Sequence, residues 1–272
     1  MLRKQMAMRI SVITPVLNAA AHIERCFLSM GQQAYDDFEH IIIDGGSQDR
    51  TVDLIKHYAS TRPNVTWISK PDRGQSHAMN RGLRLAQGEI IGFLNADDYY
   101  EPEILASVSN EFRDMREPSI LFGKCVIWND MSEIWGMHEP KLIDIVEWLL
   151  PDGDKLIPVN PVQYFCSADV HSLVGDFDED EHYVMDMDFL FRAIQVTSHR
   201  CVNRVFGNFR LISGTKTMSD IQASTADARF LRLRHKYIAS LPLRMRLTYE
   251  SKRIGRQFLE SIRPSKALFG TL

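Results

Sequence analysis

At 272 residues, 44% hydrophobic and 25% charged, the chain has the composition of an ordinary globular protein, enough for one sizeable domain with an appendage or for two small ones. Its net charge of −3 singles out no class of partner. Its four widely spaced cysteines, with no Cys-x-x-Cys pair, exclude zinc-site spacing, argue against a disulfide framework and favour a reducing, cytoplasmic setting. No apolar signal segment follows Arg3 and Lys4, and no apolar run approaches membrane-spanning length, so neither a cleaved signal nor an integral membrane anchor is expected.

In chain order, Arg9 to Thr14 is β-rich and predicts a strand stopped by Pro15. Ala19 to Gln33 sets Ile23, Phe27 and Met30 at helical spacing. Glu39 to Ile43 is a second apolar strand, running into Asp44-Gly45-Gly46-Ser47. Two glycines allow close backbone approach or positive φ, and Asp44 closes a buried strand where a carboxylate can accept hydrogen bonds from a ribose or a base edge. A plain tight turn is the alternative for the glycine pair, with Asp49 or Thr51 capping the next helix. That helix carries Val52, Ile55 and Ala59; Val65 to Ser69 is a third strand, Gln75 to Ala86 a helix, and Glu89 to Leu94 a fourth strand. Gly88 before it suits a left-handed helix cap. Strands alternating with helices at this pitch predict a parallel sheet covered on both faces. Neither G-x-G-x-x-G nor a Walker sequence is present.

Asp97 and Asp98 then fall outside the carboxyl end of the fourth strand, where an open α/β sheet presents its ligands. Adjacent carboxylates in an apolar setting repel each other and resist desolvation, so a cation is expected beside them. The alternative is a helix N-cap ahead of Pro102. Pro102 to Arg113 reads as a helix, Ser119 to Asn129 and Glu133 to Trp135 as antiparallel strands, and Lys141 to Leu150 as an apolar helix. Pro151 to Pro161 is a long loop, functional or a connector. Gln163 and Tyr164 lie on a strand expected to face an acceptor, and His171 and His182 read as ordinary packing or surface residues. Asp186 and Asp188 open another helix, where Asp188 can satisfy free backbone N–H groups. Ser219 to Ala239 and Leu243 to Ile262 are two helices split by Pro242; eleven Lys or Arg against two Glu between Arg229 and Lys266 give this stretch a formal +9. Such helices lie on an anionic membrane surface or dock as a cap on the domain or on a second subunit. No nucleic-acid reader motif accompanies the charge.

Four stretches in order, ITPVLN (13–18), EHIIIDGGSQDRT (39–51), KPDRGQSHAMNRG (70–82) and GEIIGFLNADD (88–98), resemble the nucleotide-sugar-binding half of the family 2 glycosyltransferases. The similarity continues over Val174 to Asp178 and Met185 to Leu190. The resemblance implies a GT-A-like α/β fold, a Rossmann-type mostly parallel sheet flanked by helices. The glycosyltransferase domain would span 1–218 (nucleotide half 9–100, acceptor half 101–218), with a basic helical extension over 219–272. It implies an inverting hexosyl- or N-acetylhexosaminyltransferase for polysaccharide, lipopolysaccharide or other glycoconjugate synthesis. The implied donor is a nucleotide-diphosphate sugar, UDP by family frequency, with Mn²⁺ or Mg²⁺ and a glycan or lipid-linked acceptor. Residue by residue, Pro15 and Val16 would line the base pocket, Asp44 would contact base or ribose, and Arg73 would lie over the nucleotide. Asn95 stands at the first acidic position of the D-x-D-type motif, so Asp97 alone would ligate the metal, with Asp98 orienting it or capping a helix. Asp186 falls at the catalytic base. Lys216 clamps phosphate or lies in a solvated turn. The rival reading is a non-catalytic nucleotide-sugar-binding or scaffold subunit. Peripheral membrane contact through 229–266 at the inner face and a homodimer stay open; nucleic acid is not expected.

Overall fold

The computed structural model describes residues 8–141, 144–181, 183–215, 217–219 and 226–261. Four parallel strands form its first half: β1 (Ile10–Val16), β2 (Phe38–Asp44), β3 (Val65–Ser69) and β4 (Ile90–Phe93), in the order β3-β2-β1-β4. Helices α1 (Ile23–Gly31), α2 (Thr51–Ala59) and α3 (Gln75–Leu83) connect them. β1 and β4 are buried at every residue, as expected of strands covered on both faces, which read as apolar runs rather than alternation.

The sheet then turns mixed. β5 (Tyr99–Tyr100), α4 (Ile104–Phe112), β6 (Ser119–Trp128), β7 (Ile134–His138), α5 (Ile145–Leu149), β8 (Tyr164–Ser167), α6 (Asp169–Val174), α7 (Met185–Ala193) and β9 (Ser198–Arg210) follow in sequence. β8 joins β4 antiparallel, β6 follows β8, β9 runs parallel to β6, and β5 closes that edge. One sheet therefore carries both halves of the chain. Beyond Ser240, the end of α8 (Ala226–Ser240), a break at Pro242 leads into α9 (Leu243–Ser261).

Several expectations change. Pro15 does not stop β1 but lies inside it, opposite Ile43. Ile13 points its carbonyl at β4, where Leu94 N donates to it at 3.0 Å. Pro15, two residues on, turns its nitrogen to that same side, past the last β4 pair at Phe93, so no ladder bond is lost. Gly88 is not a left-handed cap: the positive-φ glycines described are Gly46, Gly74, Gly175 and Gly214. Its need is space, because a Cβ there would sit 2.5 Å from Ser11 N. The strand β9 was not foreseen; it includes Asn208 to Arg210. Gln163 and Tyr164 do not face an acceptor either, being 0% and 1% exposed. Gln163 spends its amide on Gly123 O, His138 Nδ1 and Val159 N.

The basic extension packs on the domain. Leu233 and Tyr237 of α8 and Tyr249 of α9 join the core that α7 and α5 share with the sheet. Glu147, 8% exposed, receives Lys252 Nζ at 2.6 Å and pairs with Arg256, and Arg234 donates to Leu149 O at 2.9 Å. Part of the positive charge, Arg234, Lys252 and Arg256, thus meets the domain. Asp188, expected to meet free N–H groups at a helix start, is instead the buried post of this docking: it accepts from Arg192 Nε at 3.0 Å, Lys236 Nζ at 2.9 Å and Tyr237 OH at 3.0 Å. Burial works against its ionisation, but Lys236, Arg192 and Tyr237 outweigh that and hold its carboxyl below the ordinary value.

Candidate active site

A cleft of about 780 Å³ opens beyond the carboxyl ends of β1 and β4. Its first wall is the β1 end, Pro15 to Ala19. Asn18 takes a left-handed φ of 48° there, which Asn tolerates, and accepts from Gln48 N at 2.9 Å while its own N–H donates to Ser47 Oγ at 2.7 Å. The β1 and β2 loops are therefore stitched together. Asp44 organises the β2 loop from beneath: fully buried, it accepts from Gly46 N at 3.1 Å, Ser69 Oγ at 2.7 Å and the Ser47 hydroxyl. Gly46 needs its φ of 93°, and a Cβ on Gly45 would strike Asp72 Oδ2 at 2.6 Å. Asp49 takes Thr51 N at 3.0 Å and Ala20 N at 3.1 Å, tying the start of α2 to the first wall.

The floor is the turn Asn95-Ala96-Asp97-Asp98, closed by Asp98 N donating to Asn95 O at 3.1 Å. The two carboxylates part company. Asp98 is fully buried and accepts from Asn95 Nδ2 (3.1 Å), Asn160 Nδ2 (2.9 Å) and Arg210 N (3.0 Å). It neither caps a helix nor reaches Asp97 by a hydrogen bond; it knots the floor to the 151–161 loop and to the end of β9. Burial, then the Asp97 charge, push its carboxyl well above the usual range, against those three donors. Asp97 lines the cleft, partly exposed. Burial raises its carboxyl too, with His22 and Arg210 opposing.

The opposite wall is α7. Tyr183, Met185, Asp186 and Met187 line it, and Asp186 Oδ1 accepts from Met187 N at 2.9 Å in the first helical turn. The segment leading to it is clamped by α3. Asn80 Oδ1 and Nδ2 meet Phe177 N and Phe177 O, each at 2.9 Å, and Ser76 Oγ lies 2.7 Å from Met185 Sδ. Asp97 and Asp186, 89 residues apart in sequence, share one cleft.

Of the residues singled out by sequence, Pro15, Val16, Asn95, Asp97 and Asp186 line that cleft. Asp44 lies under it. Arg73 stands at the rim, its side chain 73% exposed and ion-paired with Glu179. Lys216 and His182 lie outside the described residues, though Thr215 and Thr217 are on the wall. Reading the chain missed His22, which lines the cleft, and Arg210, whose charge is felt at Asp97. Asn160 was missed as well; nothing in its local sequence reports that it meets Asp98.

As for a divalent cation, Asp97 fits the part of a single carboxylate ligand: it is desolvated, lines the cleft and has no ion pair among the described residues. No group of three His, Cys, Asp or Glu suited to a metal occurs among those residues. An ion here would take the rest of its shell from ligand oxygens and water, which Mg²⁺ and Mn²⁺ accept.

A family model described as Glycosyl transferase family 2 matches residues 11–161, more than half of the chain. The chain belongs to glycosyl transferase family 2. An uncharacterized glycosyltransferase of Mycobacterium tuberculosis is 30% identical to this family 2 chain over 231 residues, covering 74% of it and 81% of the relative. A PGL/p-HBAD biosynthesis glycosyltransferase of Mycobacterium bovis (strain BCG / Pasteur 1173P2) is 40% identical over 128 residues, 46% of this chain. The match spans 50% of that relative's length. Among solved structures, S. aureus TarS 1-349 in complex with UDP-GlcNAc superposes with a TM-score of 0.63 at 18% identity, covering 78% of this chain and 61% of that one. The likeness establishes a shared α/β fold, and the family 2 match covers both the β1 wall and the Asp97 floor.

Proposed function

We propose that this family 2 chain transfers a sugar from a nucleotide-diphosphate sugar, with UDP as the nucleotide, to an acceptor hydroxyl with inversion at the anomeric carbon. The observation that carries the reading is the meeting of Asp97 and Asp186 in one cleft, with Pro15 and Val16 on the wall beside Asp97. The nucleotide would lie along the β1 wall, its base against Pro15 and Val16 above the loop that Asp44 holds. Asp44 would reach base or ribose by exchanging a serine hydrogen bond, and Arg73 would reach the nucleotide by exchanging Glu179. A relative named for glycosyl transfer and a fold neighbour crystallised with UDP-GlcNAc support the donor class.

In an inverting transfer the acceptor oxygen attacks from the face opposite the leaving diphosphate, and a base must take its proton as the bond forms. Asp186 would be that base: it faces the cleft at the first turn of α7 and is held in place through the clamp of Asn80 and Ser76 on the preceding segment. Asp97 would hold Mn²⁺ or Mg²⁺ with Asn95 beside it. Such an ion supplies electrostatic stabilisation of charge on the departing phosphate. Lys216 would add a point charge to the same phosphates. The sugar is hexosyl or N-acetylhexosaminyl, and the acceptor a glycan or lipid-linked sugar.

A panel of UDP-, dTDP- and GDP-sugars with Mn²⁺, read by thermal shift and then by slow donor hydrolysis, tests this. A UDP-sugar should raise the melting temperature and be hydrolysed. Stabilisation without hydrolysis would point to a non-catalytic binding subunit, and no stabilisation by any nucleotide sugar would sink the reading.

A further inference from the structure

The hairpin of β6 and β7 carries four large apolar side chains in the open: Met131 is 75% exposed, Ile134 64%, Trp135 71% and Met137 58%. Side chains of this size rarely gather on an edge strand unless something covers them. β7 is such an edge, since it pairs with β6 alone among the described strands.

The hairpin is built, not loose. Asn129 Oδ1 accepts from Met131 N at 3.0 Å and Glu133 N at 2.9 Å, and Asn129 N donates to Glu133 O at 2.9 Å. It is also joined to the cleft. Leu211 N donates to Trp128 O at 3.0 Å, and Ser213 N donates to Asp130 Oδ1 at 3.1 Å. Ser213, Gly214 and Thr215 line the cleft, so the apolar surface begins where that wall ends. Finally, the ladder slips. Gly136 is opposite Ile127 and Ile134 opposite Trp128, which leaves Trp135 between them without a partner. A bulge of this kind re-aims side chains and recurs beside active sites.

Charge narrows the choice of occupant. The hairpin and its base carry Asp130, Glu133 and Glu139 against Lys124, which is already paired with Glu139 at 3.0 Å, and Arg210, which lies opposite Trp128 and whose charge is felt at Asp130. A surround with no surplus of positive charge gives phosphate headgroups and nucleic acid nothing to hold. It suits an uncharged ligand with an apolar body, and a tryptophan ring binds the C–H face of a pyranose or an alkyl chain through the same dispersion and release of water.

We propose that this hairpin is the acceptor platform: Trp135, with Ile134 and Met137, holds the apolar face or tail of an uncharged glycoside whose free hydroxyl enters the cleft towards Asp186. The assignment rests on the glycosyl-transfer reading of the cleft and adds the chemistry of its acceptor.

The test uses the full chain with n-octyl β-D-glucopyranoside below its micellar concentration, methyl β-D-glucopyranoside as the head-only probe, and saturation-transfer NMR. The octyl glycoside should bind on the order of tenfold more tightly than the methyl one, its tail being what the platform covers. Trp135→Ala should remove that advantage while UDP affinity stays within about twofold. Ile134→Ser should act in the same direction; both side chains are exposed, so the melting temperature should hold. Octyl glycoside binding unchanged in both variants overturns the proposal. A Trp135-dependent dimer in light scattering also overturns it and assigns the hairpin to self-association. Trp135-dependent binding to phosphatidylcholine vesicles, without binding of the monomeric glycoside, assigns it to a membrane and overturns it too. Failure of the wild-type chain to bind UDP would count against the proposed function, leaving the glycoside result to be judged separately.

Discussion

Asp97 and Asp98 are neighbours with opposite tasks, and what separates them is which way each side chain faces. Asp98 points into the protein and meets three N–H donors; Asp97 lines the cleft. Asp97→Ala should therefore weaken UDP binding in Mn²⁺ by about tenfold or more, an ion-held diphosphate losing its one protein carboxylate. Without the metal the same titration calorimetry should find wild type and variant alike. Asp186→Asn should cut transfer by about 10² or more, the usual contribution of a positioned base, with UDP affinity within about twofold. A parallel fall in nucleotide affinity would show that Asp186 holds the donor instead. At this scale Asp97 was legible because it sits at the junction of an apolar run and a polar turn, and Asp186 was singled out through the family resemblance; both line the cleft. His22, Asn160 and Arg210 were not. Their partners lie far along the chain, and a polar residue's local pattern says nothing about which distant group it meets.

Between elements, the decisive joint is α7 with α8. Asp188 is 3% exposed and gathers Arg192, Lys236 and Tyr237. Asp188→Ala should destabilise the chain by about 2–3 kcal/mol, since three hydrogen bonds to a buried carboxylate are lost together. Lys236→Ala should cost under about 1 kcal/mol, because that side chain is 62% exposed. Urea unfolding gives both values, and limited proteolysis should find α8 cut sooner in the Asp188 variant. The helical repeat of Phe230, Leu233 and Tyr237 made α8 readable as a helix, but not its dock. Both docking and lying on a surface ask for one apolar stripe with basic residues beside it. β9 escaped for a related reason: His, Arg and Asn fill its exposed first half, so its apolar residues show neither a run nor a clean alternation.

For the molecule as a whole, two histidines keep their ring nitrogens away from water and stay neutral. His40 bridges Thr14 Oγ1 at 2.9 Å and Tyr58 OH at 3.2 Å. His171 stacks on Phe189 at 4.5 Å with both ring nitrogens buried and, among the described residues, without a hydrogen-bond partner. Burial, helped by Arg62 and Arg192 respectively, lowers each to about 3. An unfolded chain takes up these protons near pH 6.5 and the folded one only near 3. Stability should thus be full above pH 6.5 and fall by a few kcal/mol as pH drops towards 3. Unfolding free energies measured across that window should show the slope, and His171→Phe should flatten part of it. The parallel first half of the sheet and the strand-end carboxylate were readable from residue order, because hydrophobic period and turn chemistry act over ten residues or fewer; the family was readable through the resemblance of four ordered motifs. Which side chains converge on the cleft, that part of the basic tail's charge pairs with the domain, and that Trp135 stands out beside the cleft's far wall came from packing alone. Those contacts join residues as many as 112 apart, as between Asp98 and Arg210, and only chain closure over such distances selects one partner from many of equal chemistry.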